Sequence, residues 1–253
     1  MKIGNLTGRT GDLGRAAARC LAALAAIAIV TMALCACAVR RTSKATGPVS
    51  FKTNDGWTIV GDLYTPAGKP KGVVILLHQR GGAAGNWSSL CQALQEAGIE
   101  ALAIDQRGAG RSTEGPGPLG TDAPWVTTGD ITAAIAYLKP SGPIGLCGAS
   151  YGANNALIYA ASHPKKIATV ALFSPGADYH GLLALPAARA YRGSVLIVHG
   201  SGDSIAGDGP AQIDRAAAGK HKLTVIDSAG HGTDLLSPEI DKQTVSWFVQ
   251  TLR

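Results

Sequence analysis

The chain has 253 residues, of which 46% are hydrophobic, 5% aromatic and 16% charged, enough to bury one large core in a composition that excludes collagen-like, coiled-coil and disordered classes. Its formal charge is +6, yet Lys2, Arg9, Arg15 and Arg19, against Asp12 alone, precede residue 37, and the remainder carries 19 basic and 16 acidic side chains. So small and scattered a surplus is an ordinary solvated surface and argues against a nucleic-acid partner.

The run Cys20 to Ala38, CLAALAAIAIVTMALCACA, is uncharged and follows an arginine-containing start. These are the flanks of a secretory signal, although the run is long enough to span a bilayer. It closes with Leu34-Cys35-Ala36-Cys37, which resembles the lipobox of bacterial lipoproteins: Leu three positions before a cysteine and a small residue directly before it. The resemblance implies cleavage before Cys37 and a diacylglyceryl group on its sulfur, with membrane lipid as partner. Cys35 departs from the Ala, Ser or Thr usual at its position, and it is itself a poorer acceptor because the bulky Leu34 precedes it. An ordinary signal cut near Ala36 or Ala38, releasing a periplasmic or secreted protein, and an uncleaved anchor are the alternatives. The organisation expected is a signal peptide over 1–36, a tether over 37–48 and one exported domain over 49–253, held at the bacterial cell envelope. Arg40, Arg41 and Lys44 of the tether could lie against anionic lipid.

Within the domain, Val49 to Lys52 and Trp57 to Tyr64 flank Asn54-Asp55-Gly56, the residues of a tight hairpin, and read as antiparallel strands. Gly72 to His78 is a continuous apolar run, the mark of a strand covered on both faces. Asn86 to Gly98 has helical period, with Leu90, Ala93, Leu94 and Ala97 on one side. Then follow strand Glu100 to Asp105, helix Thr128 to Leu138, strand Ile144 to Cys147, a helix after it, strands Ala168 to Phe173 and Ser194 to Val198, helix Ala211 to Ala217, strand Lys222 to Asp227 and helix Pro238 to Leu252. This alternation predicts an α/β fold, an eight-stranded, mostly parallel open sheet with helices on both faces. Between Phe173 and Ser194 there is room for one or two helical turns, so a minimal lid or none is expected. Cys91 and Cys147 are expected as buried thiols rather than a disulfide.

Between the strand ending at Cys147 and its following helix lies Gly148-Ala149-Ser150-Tyr151-Gly152. This GxSxG pattern places Ser150 in a strand-to-helix turn so tight that a side chain at either glycine would meet backbone. Ser150 needs a base and a carboxylate from the ends of later strands. His231, between Gly230 and Gly232 after the last strand, is the candidate base, and Asp203, after the strand ending at Val198, the candidate carboxylate, with Asp208 as its rival. The order Ser, Asp, His is that of the α/β-hydrolases. Oxyanion donors are expected from the N–H of Tyr151 and from the loop His78-Gln79-Arg80-Gly81-Gly82. His78 and His199, each within or just after a strand, read as structural.

Asp105-Gln106-Arg107-Gly108-Ala109-Gly110-Arg111-Ser112 completes the pattern, a DxRGxGxS turn. From about Val49 to Arg253 the chain resembles the α/β-hydrolases, nearest in style to the small dienelactone-hydrolase-like and esterase-like members. In that family the loop reads His-Gly-X with X donating, so Arg80 occupies the donor position and Gln79 replaces the glycine; the donor stays open between Gln79 and Arg80. The resemblance implies a serine hydrolase that cleaves small-molecule carboxylic esters of short to medium acyl length through an acyl-enzyme on Ser150. Thioesterase, peptidase or amidase, and acyltransferase activities with the same triad, or a non-catalytic envelope lipoprotein, are the alternatives. Arg107 reads as a loop pin. No cofactor is implied, no residue cluster has metal-ligand spacing, and the oligomeric state is open. Whether Arg80 points into the site, where it would favour an anionic substrate, is also open.

Overall fold

The computed structural model describes residues 47–253; the signal and the lipobox Cys37 lie outside the described residues. β1 (Gly47–Lys52) and β2 (Thr58–Tyr64) form the antiparallel hairpin, turned at Gly56 with φ of 94°. β3 (Val73–Leu77), β4 (Glu100–Asp105), β5 (Ile144–Ala149), β6 (Ile167–Phe173), β9 (Ser194–Gly200) and β10 (His221–Ile226) follow. The sheet order is β1-β2-β4-β3-β5-β6-β9-β10, antiparallel at β1 and β2 and parallel from β4 onward. Eight strands, mostly parallel, are what the alternation predicts.

The continuous apolar runs divide by the period of a strand between two cores. Val73, Ile75 and Leu77 face one side, with Leu102, Ile104, Val170, Leu172, Val195 and Ile197. Val74 and Leu76 face the other, with Ala101, Ala103, Ala171, Phe173, Leu196 and Val198. Helices α2 (Thr128–Leu138), α3 (Tyr151–Ser162), α4 (Ala184–Ala190) and α5 (Gly209–Ala216) cover the first side; α1 (Ser88–Glu96) and α6 (Pro238–Thr251) cover the second. Cys91 and Cys147 are free, buried thiols in the second core.

Three boundaries differ from the sequence reading. The first helix begins at Ser88, because Ala84–Trp87 forms a tighter 3-10 turn. β5 runs on to Ala149, so no loop separates strand from Ser150. Between Phe173 and Ser194 the helical turns exist as α4, but ahead of them β7 (Asp178–Tyr179) and β8 (Leu182–Leu183) pair as a hairpin too short to leave a periodic signal.

From β3 the chain passes to β4 on one side and to β5 on the other. A crevice opens outside the carboxyl ends of the strands at such a reversal, where ligands bind in open α/β sheets. The loops leaving β3 and β5 carry Arg80 and Ser150. The DxRGxGxS turn rims the same end. Arg107 donates from Nη1 to Asp55 at 2.6 Å and from Nε to Asp130 at 2.7 Å, while Arg111 donates to Asp105 at 2.6 Å and to Asp62 at 2.9 Å. Asp130 also accepts the Arg107 N–H and is fully buried. Removing one partner of a buried pair leaves the other charge uncompensated, at a cost of about 3 kcal/mol or more. Asp130→Ala is therefore expected to lower the urea midpoint clearly, whereas Glu114→Ala, at an exposed contact with Lys52, leaves it unchanged; equilibrium denaturation checks both.

Candidate active site

Ser150 is the junction of β5 and α3, with φ of 54° and ψ of −125°. A non-glycine residue there is strained by about 1–3 kcal/mol and persists only where its surroundings fix it. They do: the Ser150 N–H donates to Phe173 O at 2.8 Å, and its carbonyl accepts from Ala153 and Asn154. The flanking glycines are required sterically. A Cβ on Gly148 would lie 2.3 Å from Gly152 O, and one on Gly152 would lie 2.6 Å from His78 O. Ser150 is 6% exposed. Next to it, the Tyr151 N–H belongs to the first turn of α3, where backbone donors have no intrahelical acceptor and face outward.

His231 follows β10, and its Nδ1 lies 3.0 and 2.9 Å from the two carboxylate oxygens of Asp203. Asp203 Oδ1 accepts in addition from the N–H groups of Ile205 and Ala206, both at 3.1 Å. Burial pushes this carboxyl up, but the Ser174 hydroxyl, His231 and the Ala206 N–H outweigh it and hold it below its ordinary value, so it is ionised. Asp208, the rival, instead stands before the first turn of α5. A Cβ on Gly232 would lie 3.3 Å from the Ala149 Cβ, so the His231 loop runs against the turn of Ser150. Among the described residues no hydrogen bond joins Ser150 to His231; the Ser150 hydroxyl lies near the Tyr179 phenol, whose pKa it lowers.

The loop after β3 is fixed by a buried chain of polar groups. His78 Nε2 accepts the Gln106 N–H at 3.0 Å, and Gln106 Nε2 returns a bond to His78 O at 2.7 Å. Gln106 Oε1 accepts from Thr127 Oγ1, Thr127 N–H donates to Asn155 Oδ1, and Asn155 Nδ2 donates to Trp125 O and Tyr151 O. Burial holds His78 below its ordinary value, hence neutral, so with Nε2 accepting, the proton sits on Nδ1 and is donated to Gln79 O at 2.8 Å. His78 is thus structural, as its place suggests. The Gln79 side chain accepts from Thr233 Oγ1 at 2.8 Å, a bridge to the His231 loop that glycine could not make.

Four side chains at this end were not found from the sequence. Ser174, with φ of 48°, accepts the Gly232 N–H at 2.9 Å through Oγ and the Tyr179 O–H at 3.1 Å through its carbonyl. Burial pushes Tyr179 up to about 12, so it remains a neutral donor. Trp125 stacks on His180 at 3.9 Å and meets the Tyr151 ring edge-on at 5.6 Å. All four come from loops or the short hairpin, where no periodicity or motif points to them.

Residues 68–191 match the family model Hydrolase_4, described as serine aminopeptidase, S33. The chain has the fold of the α/β-hydrolases. A monoacylglycerol lipase of Mycolicibacterium smegmatis is 31% identical over 132 residues, 52% of this chain and 47% of the lipase, so the chain spans about half the length of the curated relative it matches. Among solved structures, the esterase Est1E of Butyrivibrio proteoclasticus, with ferulic acid bound, superposes with a TM-score of 0.67 at 17% identity, over 80% of this chain and 99% of that one. A dienelactone hydrolase of Anabaena variabilis reaches 0.67 at 20% identity, over 84% and 100%. The Pyrococcus furiosus esterase Pf2001 reaches 0.66 at 18% identity, over 81% and 92%.

In this α/β-hydrolase fold the strain at Ser150 has a measurable consequence. Ser150→Gly, which relaxes φ, is expected to raise the melting temperature by about 2–4 °C, the equivalent of about 1 kcal/mol, relative to Ser150→Ala, which keeps a side chain in the strained conformation. Thermal unfolding of the two variants side by side checks it.

Proposed function

We propose that this chain is a serine hydrolase of carboxylic esters, with Ser150 as nucleophile, His231 as general base and Asp203 as the carboxylate that orients it. The observation that carries the reading is the ionised, fourfold-bonded Asp203 against His231 Nδ1, on loops packed against a strained serine turn. Ionised Asp203 leaves Nδ1 protonated and Nε2 free to take the Ser150 proton as Oγ attacks the ester carbonyl. The Ser150 hydroxyl must close on the imidazole for this step, a tightening common when substrate binds. The tetrahedral oxyanion collapses, His231 protonates the departing alcohol, and water repeats the sequence on the acyl-enzyme.

The oxyanion is held by two N–H groups. One is that of Tyr151. For the other, Arg80 is favoured over Gln79 by peptide planarity. The His78 carbonyl is turned towards Gly152 and Gln106, so the Gln79 N–H on the same peptide points away from α3. The Gln79 carbonyl is turned to His78 and Gly82, so the Arg80 N–H points away from them, and it is the donor we assign.

Ester cleavage is favoured over aminopeptidase activity by charge. An N-terminal ammonium needs an accessible carboxylate, whereas Arg80, a cation, stands over Trp125 beside the site and Asp203 is buried and engaged. Exposed Leu119, Val126 and Ile205 on loops, and Leu183 on β8, suit an acyl chain.

Export with a lipid anchor at Cys37 is part of the same proposal.

Fluorophosphonate labelling of the protein, beside Ser150→Ala and His231→Ala, tests the chemistry. Wild type labels and hydrolyses p-nitrophenyl esters, and both variants lose labelling and at least about 1000-fold in kcat/KM; a folded wild type that does neither refutes the reading. For the anchor, Cys37→Ser is expected to abolish incorporation of radiolabelled palmitate in a bacterial host and to move the protein from the membrane to the soluble fraction.

A further inference from the structure

We propose that the Arg80 guanidinium receives a negative charge on the substrate, so that the esters taken by this site are anionic, with a carboxylate a few atoms from the scissile carbonyl. This rests on the esterase reading above and adds its substrate class.

The neighbouring arginines provide the contrast. Arg107 and Arg111 are each bonded to two carboxylates. Arg80 has no carboxylate within the 4.0 Å of an ion pair among the described residues. Its Nη2 donates to the carbonyls of Thr121 and Ala123, the latter at 2.8 Å. The guanidinium carbon lies 4.4 Å from the Trp125 ring centre and 5.8 Å from that of Tyr151. Carbonyls and ring faces hold the planar fork in one place, but none carries a formal charge, so the cation is fixed and uncancelled. Arg107 and Arg111 show what an arginine used only to pin loops looks like here.

Arg80 also lines a pocket of about 340 Å³ beside the nucleophile turn, together with Tyr151 and Gly81, Gly82 and Gly108. No carboxylate lines it. Its glycine walls present backbone rather than side chains, and backbone dipoles can add to the attraction for an anion. Tyr151 directly follows Ser150, and the Arg80 backbone is the second oxyanion donor proposed above. One residue thus supplies the N–H for the developing oxyanion and, at the end of its side chain, the charge for a carboxylate further along the substrate. With both Nη2 hydrogens on carbonyls, Nη1 carries the N–H donors that would meet that carboxylate.

The test compares phenyl butyrate with the monophenyl ester of adipic acid, after subtraction of the enzyme-free rate, for wild type, Arg80→Met and Arg80→Lys. For wild type, kcat/KM for the anionic ester is expected to exceed that for the neutral one about tenfold at low ionic strength. The ratio shrinks in about 0.5 M salt, where screening shortens the reach of the charge. Arg80→Met brings it near one, and Arg80→Lys keeps part of it because ammonium retains the charge without the fork. The ratio cancels any loss common to both esters, including one through the Arg80 N–H. A wild-type ratio of one or less, or one insensitive to salt, overturns the proposal even if neither variant folds, and so does an equal ratio in wild type and Arg80→Met; the esterase reading then stands. Hydrolysis of neither ester, with no fluorophosphonate labelling, overturns that reading and this proposal with it.

Discussion

The backbone at Ser150 is the constraint from which the site is built. A strand that must hand directly into a helix at the centre of a parallel sheet forces its junction residue into positive φ, and the close approach of α3 to β5 and to the end of β3 leaves no volume for a Cβ at Gly148 or Gly152. The conformation costs free energy, and the bond from Ser150 N–H to Phe173 O shows how the adjacent strand holds it. What the strain gains is position: a serine at the mouth of the crevice and a helix N-terminus whose first N–H faces the same point. Every other candidate residue is placed relative to that turn.

Two buried polar systems do the placing. One runs from His78 through Gln106 and Thr127 to Asn155 and fixes the loop after β3 relative to α3. The other centres on Ser174, which accepts from Gly232 on the His231 loop, favours the charge of Asp203 with its hydroxyl, and holds Tyr179 with its carbonyl. Gln79 joins the two through Thr233. That bridge gives a physical reason for glutamine where the family pattern has glycine: the oxyanion loop and the histidine loop are tied side chain to side chain. Partly satisfied networks would be costly at this depth, and satisfied ones rigidify.

The crevice itself is roofed lightly. The β7–β8 hairpin contributes Tyr179 and His180, and His180 rests on Trp125 from the loop before α2. Gly176 belongs to the same arrangement, since a Cβ there would lie 2.6 Å from the Tyr179 ring. With so little above Ser150, the selectivity proposed for this site rests on the few charges and rings at the rim, and among the described residues Arg80 is a rim cation with no carboxylate at ion-pair distance.

Most of the architecture was legible in the sequence because it depends on local repetition. Continuous apolar runs such as Val73–Leu77 fit only strands covered on both faces, Leu90 and Leu94 mark a helical stripe, and the two glycines around Ser150 are a steric demand of one turn. The chain order Ser, Asp, His followed from strand order, with Asp203 the candidate carboxylate and Asp208 its rival. The sequence by itself therefore determined the sheet, the turn and the three candidate residues of the triad. Tertiary structure alone decided what surrounds them. Ser174, Tyr179, Trp125 and His180 stand in segments with no period, and their partners are remote in sequence. A charge is cancelled or left free by what folds against it, so Arg80 could be distinguished from Arg107 and Arg111 only once the carboxylates had been placed.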